Sequence, residues 1–205
     1  MKGFILKLNR AKNEDMVVTI LSEHTVDSYY RFYGARHSVL QLGYLIDFEV
    51  EQDKSNFLPR IRSITHNGFQ WLYNREKLMN WHRFISIFEP HFRDVKEIDS
   101  FYFYSLLDAA KKWEKQNSRR LIVETFTNIL KYEGRINNLS KCVICDSKIE
   151  NELSLIKGFM PAHPFCSHSA AVDKNSIENL FGTSSTLLLN DNTVEVLSEI
   201  ALKGF

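Results

Sequence analysis

The chain has 205 residues, 44% of them hydrophobic and 25% charged, with a formal net charge of +1. That length can bury a core in one or two domains without cross-links, and the composition is ordinary for a soluble globular protein. The near-zero charge excludes bulk electrostatics as a means of binding nucleic acid, so any such binding must come from local clusters of Lys and Arg. No apolar run reaches the length of a membrane span. The opening MKGFILKLNRAKNED turns polar too soon for a signal-peptide core. Three cysteines, an odd number, argue against a disulfide framework. A cytoplasmic protein with no membrane partner is expected. Fifteen Phe, eight Tyr and three Trp predict a core dominated by aromatic packing.

The first third of the chain has the pattern of strands. Tyr44, Ile46, Phe48 and Val50 alternate with Asp47, Glu49 and Glu51, the period-two signature of a half-buried strand. GFILKL, MVVTIL, SYYRFYGAR and FLPRIRSIT are similar extended runs joined by short polar turns. Five short strands with no room for crossover helices predict a small antiparallel barrel, of the OB or the SH3-like kind. Pro59 puts the last strand at an edge or delays its start.

From Glu76 the period becomes helical. Leu78, Trp81, Ile85, Phe88 and Phe92 mark a first helix, with Pro90 ending or kinking it. A second helix starts at the cap candidates Asp99 and Ser100 and carries Leu106, Ala110 and Trp113 on one face. A third runs from a Ser118 cap to a stop at Gly134. The Cys/His stretch follows, then the less regular SSTLLLNDNTVEVLSEIALKGF, helical at its end. The expected fold is α+β with two domains: a barrel over 1–72, then a helical domain over 73–205 carrying a Cys/His loop at about 139–168.

Every cysteine lies in that loop. Cys142 and Cys145 form a CxxC, and after seventeen intervening residues His163 and Cys166 repeat the spacing. Two close pairs of Cys and His let two chain turns each offer a chelate bite to zinc, and four protein ligands close the site to catalytic water. A structural zinc is therefore predicted, with apparent binding energy of roughly 10–16 kcal/mol available to order the segment. His168 is the substitute ligand if His163 points away. The alternatives are unligated cysteines, or a redox CxxC, which the lack of a surrounding βαβ pattern disfavours.

Basic and aromatic residues interleave on the barrel. Tyr29, Arg31 and Tyr33 share one side of a predicted strand and Arg60 and Arg62 one side of another. Arg10 and Lys12 sit in the first turn, and Arg36 with His37 closes the third strand. Such barrels bind single strands by stacking bases on aromatics while cations follow the phosphates, although strand Tyr are ordinarily core and strand Arg ordinarily solubilising. Lys111, Lys112, Lys115, Arg119 and Arg120 surround a helix junction, where a solvated charged face is the default and phosphate or an acidic peptide the alternative. GxxxxGK[ST], GxSxG and HExxH are all missing, so no enzymatic activity is expected.

GFILKLNRAKNEDMVVTILSE and YRFYGARHS resemble the start of the RecO family of bacterial recombination mediators. The resemblance rests on Glu14-Asp15, the strand from Met16 to Ser22, Gly34-Ala35-Arg36 and Ser38, and continues in IVETFTNILKYEGRINNLSKCVICD. It implies an N-terminal OB-fold, a helical domain and an inserted zinc loop. It also implies binding of single- and double-stranded DNA, annealing, a RecR-type partner, a grip on the acidic tail of single-stranded DNA-binding protein, and indirect action on RecA. The chain departs from the family at His163, where a second CxxC would begin, and at His37, where Arg or Lys is common. The resulting expectation gives DNA to Arg10, Lys12, Arg31, Arg36, His37, Arg60 and Arg62, with Tyr29 or Tyr33 as a stacking platform. It gives the acidic tail to Lys111, Lys112, Lys115 and Arg119, and zinc to Cys142, Cys145, His163 and Cys166. The rival from another class is a zinc-containing protein–protein adaptor that never touches DNA.

Overall fold

A computed structural model describes residues 1–36, 39–52 and 58–205. Strands β1 (Lys2–Arg10), β2 (Met16–Ser22), β3 (Val26–Arg31), β4 (Leu45–Glu51) and β5 (Arg60–His66) close into a barrel in the order β1-β2-β3-β5-β4. Strand β4 pairs back to β1, and β3 pairs with β5 in parallel, with Tyr30 opposite Arg60. This is the OB arrangement rather than the SH3-like one. Strand β5 starts directly after Pro59, whose carbonyl accepts from the Tyr30 N–H at 2.9 Å. The proline thus delays the strand without occupying a donor position in it.

Ile5, Val18, Ile20, Tyr29, Ile46, Phe48 and Ile61 fill the barrel. β1 breaks the alternation, because Gly3, Phe4, Ile5 and Leu6 are buried in succession and the pairing with β2 shifts register between Ile5 and Lys7. It is covered on both faces. Ile5 points into the barrel, while the Phe4 ring packs outward at 5.9 Å from Trp81 and 5.8 Å from Phe103.

Those two rings belong to helices α1 (Arg75–Ile85) and α3 (Ser100–Lys112), capped by the side chains of Asn74 and Asp99. Between them lies the short α2 (Phe88–His91). The helix breaks at Ser86–Ile87, one turn before Pro90, because proline has no N–H for the Ser86 carbonyl and its ring would clash there. Trp71, Trp81 and Trp113 form the centre of this layer. Each indole N–H is satisfied, by the carbonyls of Ala110 (2.8 Å), Gly43 (2.8 Å) and Lys77 (3.1 Å). Large aromatic area is buried without stranding a polar atom.

The chain packs as two compact units, Met1–Glu114 and Lys115–Phe205, so the barrel shares its unit with α1, α2 and α3. A barrel domain over 1–72 that folds alone is a proposal that truncation after residue 72 tests, since Phe4 would then lose Trp81 and Phe103.

In the second unit, α4 (Ser118–Tyr132) is capped by Asn117, whose side chain accepts from the Arg119 and Arg120 N–H groups, and not by Ser118 as expected. It ends at Gly134, which has the left-handed φ of +67°. A three-stranded sheet follows, β6 (Glu152–Ile156), β7 (Met160–Ala162) and β8 (Val172–Asp173), ordered β7-β6-β8, with the single turn α5 (Pro164–Ser167) between its last two strands. Helices α6 (Lys174–Thr183) and α7 (Asp191–Ala201) complete the unit. The sequence reading missed the sheet and α6. The signals for α6 were present: Asp173 accepts from the Ser176 N–H as its cap, and Ile177, Leu180 and Phe181 make its buried face.

Candidate metal centre and nucleic-acid interface

The ligand atoms of Cys142, Cys145, His163 and Cys166 all lie within 4.8 Å of one another. Zn–S and Zn–N bonds of about 2.3 and 2.0–2.1 Å set tetrahedral edges of about 3.6–3.8 Å. His163 Nδ1 stands 3.3 Å from Cys145 Sγ and 3.8 Å from Cys166 Sγ, near those edges, and with no pair beyond 4.8 Å small side-chain movements would close the set around a zinc ion.

Local structure supplies this geometry. In the first turn the Cys142 N–H donates to the Ser147 carbonyl and the Asp146 N–H to the Cys142 carbonyl, both at 2.9 Å, with Asp146 at φ +58°. The Val143 N–H donates to the Pro161 carbonyl at 2.9 Å, tying this turn to β7, which leads directly into His163. Pro164 then opens α5 and brings Cys166 round. His163 Nε2–H donates to the Lys148 carbonyl at 3.0 Å, which leaves Nδ1 as the free ligand atom aimed at the sulfurs. His168 caps the far end of α5 with φ +52° and stands outside the four-residue group, so His163 completes the set.

Burial pushes the Cys142 thiol up, but the N–H groups of His163, Cys145 and Ile144 outweigh it and bring the thiol down to about 6. The Ser147 N–H and hydroxyl lower Cys145. Burial and the neighbouring sulfurs of Cys145 and Cys142 hold Cys166 up at about 11. Three sulfurs this close cannot all be thiolates unless a cation sits among them. A zinc ion fits that requirement, and with four protein ligands it would cross-link the turn before β6 to the turn after β7 and do no chemistry.

On the barrel, Arg10 and Lys12 are exposed at the end of β1 and in the 3-10 turn Lys12–Glu14. Arg60 and Arg62 flank the buried Ile61 and share the outer face, as expected. The Arg62 guanidinium pairs with Glu51 at 2.6 Å. Arg31 is half-buried and donates to the Ile61 carbonyl at 3.0 Å. His37 lies outside the described residues.

Two expectations need correction. Tyr29 is 4% exposed, its ring edge-on to Phe48 at 5.5 Å and its hydroxyl pushed up to about 12 by burial and then by Asp27. It belongs to the core and offers no face to a base. Tyr33 does not share a strand side with Tyr29 and Arg31, because β3 ends at Arg31 and Tyr33 turns out of it at φ +49°. Tyr33 is 55% exposed, and the Arg36 guanidinium lies 5.2 Å from its ring centre.

The sequence reading also missed Phe32, which is 46% exposed with the Arg60 guanidinium 4.7 Å from its ring centre. The signal was available: consecutive aromatics at a strand end cannot both face a core. Asp15 sets this turn. It is 8% exposed and accepts from the Tyr33 N–H at 2.7 Å and from the Tyr30 hydroxyl. Glu14 next to it accepts from Arg36 Nε at 2.5 Å. Gly34 is required because a Cβ there would stand 2.9 Å from Met16 Cβ. Glu14, Asp15, Gly34 and Arg36, four residues quoted for the family resemblance, are therefore one structural device.

Among the helix cations, Lys112 pairs with Asp108 at 2.6 Å and Arg119 with Glu195 at 2.9 Å. Arg120 is structural, donating to the carbonyls of Thr186 (2.6 Å) and Leu189 (3.1 Å) and to Asp191 (2.7 Å). Lys111 and Lys112 belong to the first compact unit, Lys115, Arg119 and Arg120 to the second.

No helix among the described residues is long and apolar enough to cross a membrane. No curated protein matches the chain. Residues 1–72 match the family model described as RecO N terminal. That match falls on the five-stranded OB barrel, and over this stretch the chain is similar to the N-terminal part of RecO proteins.

Proposed function

We propose that the protein is a non-enzymatic mediator of DNA repair and recombination that binds single- and double-stranded DNA and anneals complementary strands in the cytoplasm. The observation that carries this reading is the RecO N-terminal match on a barrel whose outer surface bears Arg10, Lys12, Arg36, Arg60 and Arg62. With no ATP-binding motif, its work is thermodynamic: cations neutralise two backbones at once and lower the cost of bringing the strands together. A RecR-type partner, help in placing RecA on coated strands, and binding of the acidic tail of single-stranded DNA-binding protein belong to the same proposal. So does zinc as its structural metal.

The test is equilibrium binding of labelled single- and double-stranded DNA across a salt series, followed by an annealing assay. Affinity should fall linearly in log–log form, with a slope of about −0.7 per phosphate neutralised on single strands and −0.9 on duplex. Arg36→Ala and Arg60→Ala should weaken binding alike across sequences, because phosphate contacts carry little sequence information. Absence of binding at low salt would leave the protein–protein adaptor as the better reading.

A further inference from the structure

On the outer wall of the barrel, Val17, Tyr30, Phe32, Leu58 and Arg60 line an open cavity of about 440 Å³. Its walls are mainly apolar, and its cation lies against an aromatic face, the Arg60 guanidinium 4.7 Å from the Phe32 ring centre. The Tyr30 ring meets Phe32 edge-on at 5.1 Å. One residue further, Tyr33 repeats the pairing with Arg36 at 5.2 Å. Two successive aromatic rings thus stand in solvent, 46% and 55% exposed, each with its own guanidinium.

The fold gains little from this arrangement. Leaving such rings in water forgoes their burial, and Tyr33 is held in a left-handed conformation that a non-glycine residue adopts at a cost. The hydrogen bonds that the Tyr30 hydroxyl and the Tyr33 N–H donate to Asp15 keep the segment in place, so the rings are pre-organised as well as exposed. A ligand that suits them has flat apolar faces at regular intervals and a negative charge beside each one. A single-stranded nucleic acid has both, whereas in a duplex the base faces are already stacked.

We infer that this cavity is a base subsite, taking one unstacked base against Tyr30 and Phe32 with Arg60 beside it, and that Tyr33 with Arg36 is the platform for the neighbouring base. The inference rests on the DNA-binding reading above and adds to it the residues that distinguish single strands from duplex. A peptide with an aromatic side chain and a carboxylate could offer one such unit. The repeat on consecutive residues favours the polynucleotide.

The full chain and its Phe32→Ala variant are compared by fluorescence anisotropy on oligo-dT, on an abasic strand of equal length, and on duplex. Phe32→Ala should weaken oligo-dT binding by about tenfold, the usual scale for one base–aromatic stack, and leave the abasic strand and duplex within twofold of wild type. Phe32→Trp should restore oligo-dT affinity, and its new exposed indole should be quenched by oligo-dT and not by the abasic strand. Unchanged oligo-dT affinity in Phe32→Ala, or equal loss on all three ligands, would overturn the subsite while leaving DNA binding intact. Phe32-dependent binding of an acidic, Phe-terminated peptide, without any Phe32 effect on oligo-dT, would overturn it in favour of a peptide site. No binding of any DNA by the wild type would refute the parent reading instead.

Discussion

Asp15 holds Tyr33 across eighteen residues of sequence, its Oδ1 accepting the Tyr33 N–H at 2.7 Å while its other oxygen takes the Tyr30 hydroxyl. The carboxylate is almost buried, and losing it removes both bonds at once. Asp15→Ala should destabilise the first compact unit by about 1.5–3 kcal/mol, the scale for charge-assisted bonds whose donors can turn to water. Glu14→Ala removes only the exposed pair with Arg36 and should cost less than about 1 kcal/mol. Urea denaturation of the two variants checks the contrast, and similar losses would show that Asp15 is no anchor.

The centre of the helical layer yields a second expectation. Gly43 has φ +75°, and a Cβ there would stand 2.6 Å from Trp81 Nε1, the atom that donates to Gly43's own carbonyl. Gly43→Ala should therefore combine left-handed strain with overpacking, at about 2–5 kcal/mol together. Gly182 in α6 has nothing within 4 Å of its notional Cβ, and Gly182→Ala should stabilise by about 0.5–1 kcal/mol. Thermal melts of both variants read the opposite signs. Two shifts in the same direction would refute the account.

What the sequence revealed, and what it hid, follows from how local each signal is. The metal ligands were found because the two pairs are short-range chemistry, each carried by a single turn. β4 was found because Asp47 and Glu49 face outward and its alternation survives. β1 shows no alternation because Phe4 has a second core to enter. Tyr29 was given the wrong face because periodicity supplies a parity and not its sign, and one step along a strand inverts every side chain. The base cavity was hidden because Val17, Tyr30 and Arg60 come from three strands and meet only once the barrel closes. Asn117 and Ser118 are both good caps, and a choice between neighbours lies within the ordinary uncertainty of a helix end.

Two histidines give the first unit an acid limit. Burial lowers His66, which stacks on Tyr44 at 4.2 Å between ring centres. Burial also lowers His82, more than the Leu42 carbonyl raises it, and its buried Nε2 has no partner among the described residues. A base whose folded pKa lies below its unfolded value takes its proton first in the unfolded chain. Stability is then complete above the unfolded value of about 6.5 and falls as pH drops through it toward the lowered folded value. Melting temperature should decline below pH 6.5, and His82→Gln together with His66→Asn should flatten that decline. An unchanged slope would place the acid limit elsewhere.

The Cys/His cluster is tested most directly by its fourth ligand. Purified protein should carry about one zinc per chain, and a strong chelator should lower the melting temperature of the second unit, because binding energy of this kind is folding energy. His163→Ala should lose the metal. His163→Cys should keep it, since a fourth thiolate suits the same tetrahedron, and His168→Ala should not alter the stoichiometry. Cys142→Ser should be the most disruptive cysteine variant, because Cys142 is 1% exposed and its sulfur already accepts the His163 N–H at 3.3 Å. Acid should release the zinc as protons compete for the thiolates. Metal content unchanged in His163→Ala would sink the four-ligand assignment. Loss of metal in His168→Ala would move the fourth ligand one turn along α5.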